Sequence, residues 1–178
     1  GGIDITASKK YKEVPVTDDF KGFSIIVRGL QGGHSGMDIH KGFGNANKIM
    51  NELLKANHDI IQVAEINGGS LRNAIPRESA ALITCHNDKV AQLKEQFDKH
   101  SQSVIARFGK IEPNLKCSLS ETERPSSVLG ENDQKQLIEA LEKAINGVYS
   151  MSPEIPDLVE SSNNIARVTL GKGLINIA

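Results

Sequence analysis

"FKGFSIIVRGLQGGHSGMDIHKGFGNANKIMNELLKANHDIIQVAEI", residues 20–66, decides the fold. Residues 20–28 are rich in aromatic and β-branched side chains and read as a strand. A glycine-rich stretch follows. Residues 45–56 then place Ala46, Ile49, Met50, Leu53 and Leu54 on one helical face, the period of a helix lying on a core. Residues 59–66 return to a strand pattern, and "NGG" at 67–69 makes a turn. Working outward, residues 78–86 read as another strand, entered through Ile75-Pro76. Asp88 is placed to cap a helix carrying Val90, Leu93, Phe97, Val104, Ile105 and Phe108, with Gly109 as its stop. A fourth strand over 112–120 alternates Leu115, Cys117 and Leu119. This order predicts an α+β fold: a ferredoxin-like βαββαβ antiparallel sheet with both helices on one face. The other face must be covered or solvated.

Beyond a polar loop at 123–132, the chain starts again. Residues 133–146 set Leu137, Ile138, Leu141 and Ile145 on a helix that Gly147 ends. Residues 148–158 read as a proline-containing loop, and 164–170 with 174–178 as a hairpin around "GKG". "LRNAIPRESAALI" at 71–83 and "SSNNIARVTLGKGLI" at 161–175 share an Asn before an apolar strand start. That parallel is either chance or the trace of a repeat. A repeat makes the remainder a partial second α-β-β unit, so that residues 18–120 and 121–178 are the two sub-units of one domain over 1–178. The chain opens on "GGID" without Met and stops at "GLINIA" within a strand pattern. It therefore reads as a domain excised from a larger protein.

Composition narrows the function classes. A net charge of −1 gives no global field for nucleic acid or an anionic membrane. Aromatic residues make up 4% and Trp is absent, which argues against a base-stacking surface. No apolar run approaches a membrane span and no signal peptide is seen. Cys85 and Cys117 are far apart and in no metal-type spacing; as buried free thiols they suit a reducing cytoplasm.

Three chemistries lack their partners. His34, His40, His58, His86 and His100 form no recognised metal-ligand spacing. Ser35 has no nucleophile elbow and neither cysteine a nearby activating base. "GLQGGHSG" lacks the phosphate-loop pattern. His34 remains. Gly32 and Gly33 permit positive φ and close approach, and a helix follows whose N-terminus disfavours an imidazolium. A neutral N–H held in a dry cleft polarises a carbonyl; the alternative is that His34 satisfies loop backbone groups. Asn73, beside the stiff Pro76, is either a substrate-binding amide or a turn residue. Arg72 and Arg77 are either carboxylate ligands or solvated charges.

"GLQGGHSGMDIHKGFGNANKIMNELL" followed by "NGGSLRNAIPRE" closely resembles the aminoacyl-histidine dipeptidases, or peptidase D. These belong to the metal-dependent dipeptidase/aminoacylase/carboxypeptidase superfamily. The likeness runs from "GGID" through "LVESSNNIARVTL" and covers only the lid that closes over substrate. It implies hydrolysis of Xaa-His dipeptides in a separate catalytic domain. That domain holds two zinc or similar divalent ions, with none bound by this stretch, which alone is expected to be inactive. It also implies that His34 steadies the developing oxyanion of the scissile carbonyl, and that Asn73, Asn164 or Ser162 contacts substrate. The carboxylate-binding Arg of many relatives is not evident, since the strand ends "ITCHN". Related lids pair into homodimers; a second unit that imitates a partner lid would instead fill the sheet edge internally. The competing readings are a non-catalytic ferredoxin-like dimerisation or ligand-binding module, and the lid of a related tripeptidase or amino-acid deacylase.

Overall fold

The computed structural model of the protein describes residues 2–178. In chain order its elements are β1 (Ala7–Lys10), β2 (Glu13–Pro15), β3 (Phe20–Arg28), β4 (Gly33–His34), α1 (Ala46–Ala56), β5 (Ile61–Gly68), β6 (Ala74–Ile75), β7 (Ser79–His86), α2 (Val90–Phe108), β8 (Lys116–Thr122), β9 (Ser127–Leu129), α3 (Glu131–Lys143), β10 (Gly147–Met151), β11 (Val159–Asn163), β12 (Val168–Gly171) and β13 (Leu174–Ile177).

The strand–helix–strand–strand–helix–strand order forms as the sequence predicts. Strands β5-β7-β3-β8 lie side by side, and every pair is antiparallel. This is the split ferredoxin-like arrangement. Central β3 buries Phe23, Ile25 and Val27 completely beneath the helices. Ile26 turns to the opposite face and stays 38% exposed, as strand alternation requires. On α1, Ala46, Ile49, Met50, Leu53 and Leu54 are at most 1% exposed. Each of the large ones contributes about 1.5–3 kcal/mol of burial. Asn45 starts this helix, its side chain accepting from the backbone N–H groups of Asn47 and Lys48 at 2.9 and 3.2 Å.

Three boundaries differ from the sequence expectation. Asp88 does not cap α2. A short 3₁₀ turn, Asn87–Lys89, precedes the helix, and the His86 ring caps it by accepting from the Asp88 N–H at 3.2 Å. Asp88 already lies inside the turn, beyond the position from which a side chain can cap it. β8 begins at Lys116 because a turn intervenes first, closed by Leu115 N–H on the Glu112 carbonyl at 3.1 Å. α3 runs over Glu131–Lys143, with acidic residues in its first turn and Lys143 in its last, matching the helix dipole. Ile145 lies beyond that helix and is 49% exposed.

The 148–158 region is not a loop throughout. β10 and β11 pair as an antiparallel arm outside the main sheet. Pro153 and Pro156 are confined to its tip, where they remove no ladder donor.

The second unit completes the sheet. β12 pairs with β5, β13 with β12, and β1 adds outside β13, giving the order β1-β13-β12-β5-β7-β3-β8. The β5 edge of the ferredoxin-like unit is thereby closed within the chain, while β8 stays at the other end of the sheet. Closure takes two devices, because β5 carries a bulge between Val63 and Glu65. β12 pairs with Ile66–Gly68. Before the bulge, the buried amide of Gln134 on α3 accepts from Val63 N–H at 2.8 Å and donates to the Ile61 carbonyl at 3.0 Å. α3 packs beside α1, and the Lys48 ammonium bonds the terminal carbonyls of Leu141 and Ala144 at 2.6 and 2.8 Å. One hydrophobic core runs from Phe23 to Ile175. Among the described residues, no helix is long and apolar enough to cross a membrane.

Candidate functional site

The turn carrying His34 is fixed from several directions. β4 pairs with β6, Gly33 opposite Ile75 and His34 opposite Ala74. Ser35 N–H donates to the Asn73 carbonyl at 2.9 Å. The two leading candidates therefore lie close together although the sequence separates them widely, His34 on β4 and Asn73 in the turn that enters β6. Gly33 has φ +146°, and a Cβ there would fall 2.8 Å from the Asp38 Cβ. Gly32 has φ +69°, and a Cβ would fall 2.6 Å from Cγ of Arg77. Both positions need glycine for conformation, and Gly33 needs it for space as well.

Asp38 locks the backbone of the turn. Its Oδ2 accepts from His34 N–H at 2.8 Å, and its own N–H donates to the His34 carbonyl at 2.8 Å. Lys41 Nζ holds the other oxygen at 2.7 Å. The Lys41 hydrogen bond, then that from His34 N–H, keeps the Asp38 carboxyl below its ordinary range. Downstream, Ile39 is buried and anchors the following 3₁₀ turn, Ile39–Lys41.

The imidazole is set by the same turn. Its Nδ1 accepts from Gly36 N–H at 3.0 Å and from Met37 N–H at 3.3 Å. A ring nitrogen that accepts carries no proton, so the ring's N–H belongs on Nε2. The ring is exposed, so Nε2–H is free to meet a group outside the chain. The sequence expectation places the ring at the N-terminus of the following helix; in the structure α1 starts only at Ala46, and the ring meets these two adjacent amides instead. What the turn offers chemically is an oriented N–H donor for a carbonyl oxygen or oxyanion.

The other candidates separate by environment. Asn73 is exposed, and its amide makes no side-chain hydrogen bond among the described residues. Asn164 has both amide atoms engaged within the fold. Its Nδ2 donates to the Ala74 carbonyl at 2.8 Å, and its Oδ1 accepts from buried Asn45 at 3.3 Å. It thereby ties β6 to the cap of α1. Ser162 lies on the β10–β11 arm opposite Val148 and is exposed. Arg72 pairs with Asp4 at 2.8 Å on the surface. Cys85 and Cys117 sit on β7 and β8 with β3 between them, both free. Burial pushes each thiol up to about 11, so neither is an activated nucleophile. Among the described residues, no group of three His, Cys, Asp or Glu side chains is placed to hold a metal ion.

A cleft of about 670 Å³ opens beside this turn. Gly33 and Ala74 line it, as do Arg77, Glu78 and Arg167. Arg77 and Arg167 are both exposed, and neither guanidinium has an ion-pair partner among the described residues. The cleft suits a ligand with an anionic group near the His34 turn. Arg167 went unremarked in the sequence, because only the folding of β12 against β5 brings it there.

Residues 25–111 match the peptidase dimerisation domain family. Over 99% of its length the chain is 34% identical to the cytosol non-specific dipeptidase of Escherichia coli. It also superposes on the aminoacylhistidine dipeptidase of Vibrio alginolyticus with a TM-score of 0.92 and 32% identity over 97% of the chain. Residues 25–111 are a peptidase dimerisation domain. The resemblance to the aminoacyl-histidine dipeptidases read from the sequence is upheld. The chain spans 37% of the length of the E. coli dipeptidase and 36% of the Vibrio one. Within the dimerisation domain lie His34, Asn73, Arg77 and the whole of the turn that orients the imidazole.

Proposed function

We propose that residues 1–178 are the lid of a cytoplasmic metal-dependent dipeptidase that hydrolyses Xaa-His dipeptides, with 18–120 and 121–178 as its two sub-units. The observation that carries this reading is the His34 ring, exposed, its Nδ1 held by Gly36 and Met37 and its Nε2 without a hydrogen-bond partner among the described residues. In the closed enzyme that N–H meets the scissile carbonyl of a substrate seated in the catalytic domain and stabilises the charge developing on its oxygen. Asn73, in the turn that enters β6, contacts the substrate backbone. Asn164 keeps β6 in place and Ser162 is the outlying candidate. Two divalent ions, zinc in this reading, would supply the activated water in the catalytic domain; no described cluster in this chain suits them. A homodimer is the expected assembly. Since β12 and Gln134 close the β5 edge, the second copy must dock elsewhere.

The test is His34→Ala in the full-length enzyme, assayed against Xaa-His dipeptides beside dipeptides lacking a C-terminal His. Removing one such donor costs about 10²–10³ in kcat, with KM changed only a few-fold. Wild-type kcat in the variant would remove the oxyanion role. Equal kcat/KM on both substrate sets would remove the His specificity.

A further inference from the structure

The segment bearing His34 is gripped at both ends by one carboxylate. Glu112, in the turn between α2 and β8, is 2% exposed. Its Oε2 accepts from Gln31 N–H at 2.8 Å and its Oε1 from Gly44 N–H at 2.8 Å. The side-chain amide of Gln31 also donates to the Ile111 carbonyl. Around these bonds the ends of the segment are packed tightly: Leu30 and Leu115 are buried, and a Cβ on Gly44 would fall 2.7 Å from Leu30. No cation pairs with Glu112 among the described residues. Burying a carboxylate without a counter-charge is costly. What it gives in return is two charge-assisted bonds of fixed direction. They join residues 31 and 44, between which lie the β4 strand, the Asp38 turn and the imidazole.

We propose that Glu112 is a positioning residue for His34, setting the height and tilt of the 31–44 segment above the sheet so that Nε2–H reaches the substrate carbonyl. The inference rests on the lid reading of His34. Glu112 touches neither substrate nor reacting atoms. Asp38 fixes the local shape of the turn; Glu112 fixes where the turn stands relative to the core. Displacement of a reacting group by about 1 Å can cost 10²-fold in rate, so a slackened segment can lose activity while the fold persists.

The experiment uses the full-length enzyme with Glu112→Gln, Glu112→Ala, His34→Ala and the His34→Ala/Glu112→Gln double variant. Glu112→Gln keeps the shape but sets an NH₂ against one backbone N–H. Its kcat is expected to fall about 10- to 100-fold with KM changed less than about twofold, and that of Glu112→Ala to fall further. In the His34→Ala background, Glu112→Gln should change kcat less than about twofold, because it acts through a ring already removed. Hydrogen exchange should quicken at Gln31 and Gly44 in Glu112→Gln, while β3 and α1 keep their protection. Wild-type kcat in Glu112→Gln overturns the proposal, as does an equal loss in both backgrounds or unchanged exchange at Gln31 and Gly44. If His34→Ala keeps wild-type kcat, the lid reading fails, and the exchange measurement still decides the clamp by itself. If Glu112→Ala does not fold, Glu112→Gln carries the test.

Discussion

Asn45 joins the cap of α1 to the strand that adjoins His34, and Asn45→Ala should cost more than the loss of a helix cap. The residue is 4% exposed. Its Oδ1 accepts from Asn47 and Lys48 N–H at 2.9 and 3.2 Å, and losing a cap of this kind costs about 1 kcal/mol. Its Nδ2 donates to Asn146 Oδ1, Asn164 Oδ1 and the Ile165 carbonyl, at 2.8, 3.3 and 3.1 Å. Two of these acceptors keep a second donor: Ile165 N–H on Asn146 and the Asn47 amide on Ile165. Asn164 Oδ1 is left with none, a loss of about 1–3 kcal/mol for a desolvated acceptor. The sum is about 2–4 kcal/mol. Asn45→Ser keeps the cap oxygen and should recover about 1 kcal/mol of it. Urea unfolding of the purified variants, with unchanged slope, measures both. A loss below about 1 kcal/mol for Asn45→Ala, or no recovery with Ser, would refute the assignment of Asn45 as both cap and junction.

Further expectations concern the turn and the thiols. Gly33→Ala, at φ +146° with Asp38 2.8 Å from the new Cβ, should lower stability by about 1–3 kcal/mol and shift the backbone resonances of residues 34–38. The Asp38 carboxyl lies below the ordinary aspartate range when folded, so its contribution is present above that range and lost as pH falls through the lower folded value. An NMR titration should therefore show the 34–38 turn loosening only in acid, and Asp38→Asn should remove that dependence. With both thiols raised to about 11, Cys85 and Cys117 should react slowly with a thiol reagent at pH 8 and rapidly once urea unfolds the chain. Fast labelling of Cys85 in the folded protein would contradict its burial.

The sequence was most legible where one periodicity ran for several turns. The five apolar positions assigned to α1 are the five that the core buries, and β3 matches residue for residue. It was least legible where strands are exposed on both faces. β1 has four exposed residues, β11 is exposed at four of five positions and β10 buries none of its five, so none of the three shows the alternation of a half-buried strand. Their pairing is set by neighbours distant in the chain. The bulge in β5 did leave a trace, since its apolar residues change phase between Val63 and Ile66.

At the site, His34 stood out because glycines surround it, and Asn73 because a proline follows close behind. Asn73 and Asn164 look equivalent in one dimension. Burial distinguishes them: one amide is exposed, while the other is spent on Ala74 and Asn45. Asp38 and Glu112 gave no signal as site residues. A carboxylate that accepts from backbone N–H groups matches no side-chain spacing, and its partners are known only after folding.

The claim on which the account turns is the tautomer of His34. It is read directly from the ring nitrogen resonances of ¹⁵N-labelled protein at neutral pH. Nδ1 should be unprotonated and Nε2 should bear the hydrogen, and Gly36→Pro, which removes one of the two amides on Nδ1, should weaken that preference. A proton found on Nδ1 with Nε2 bare would contradict this, because the imidazole would then have no Nε2–H to offer.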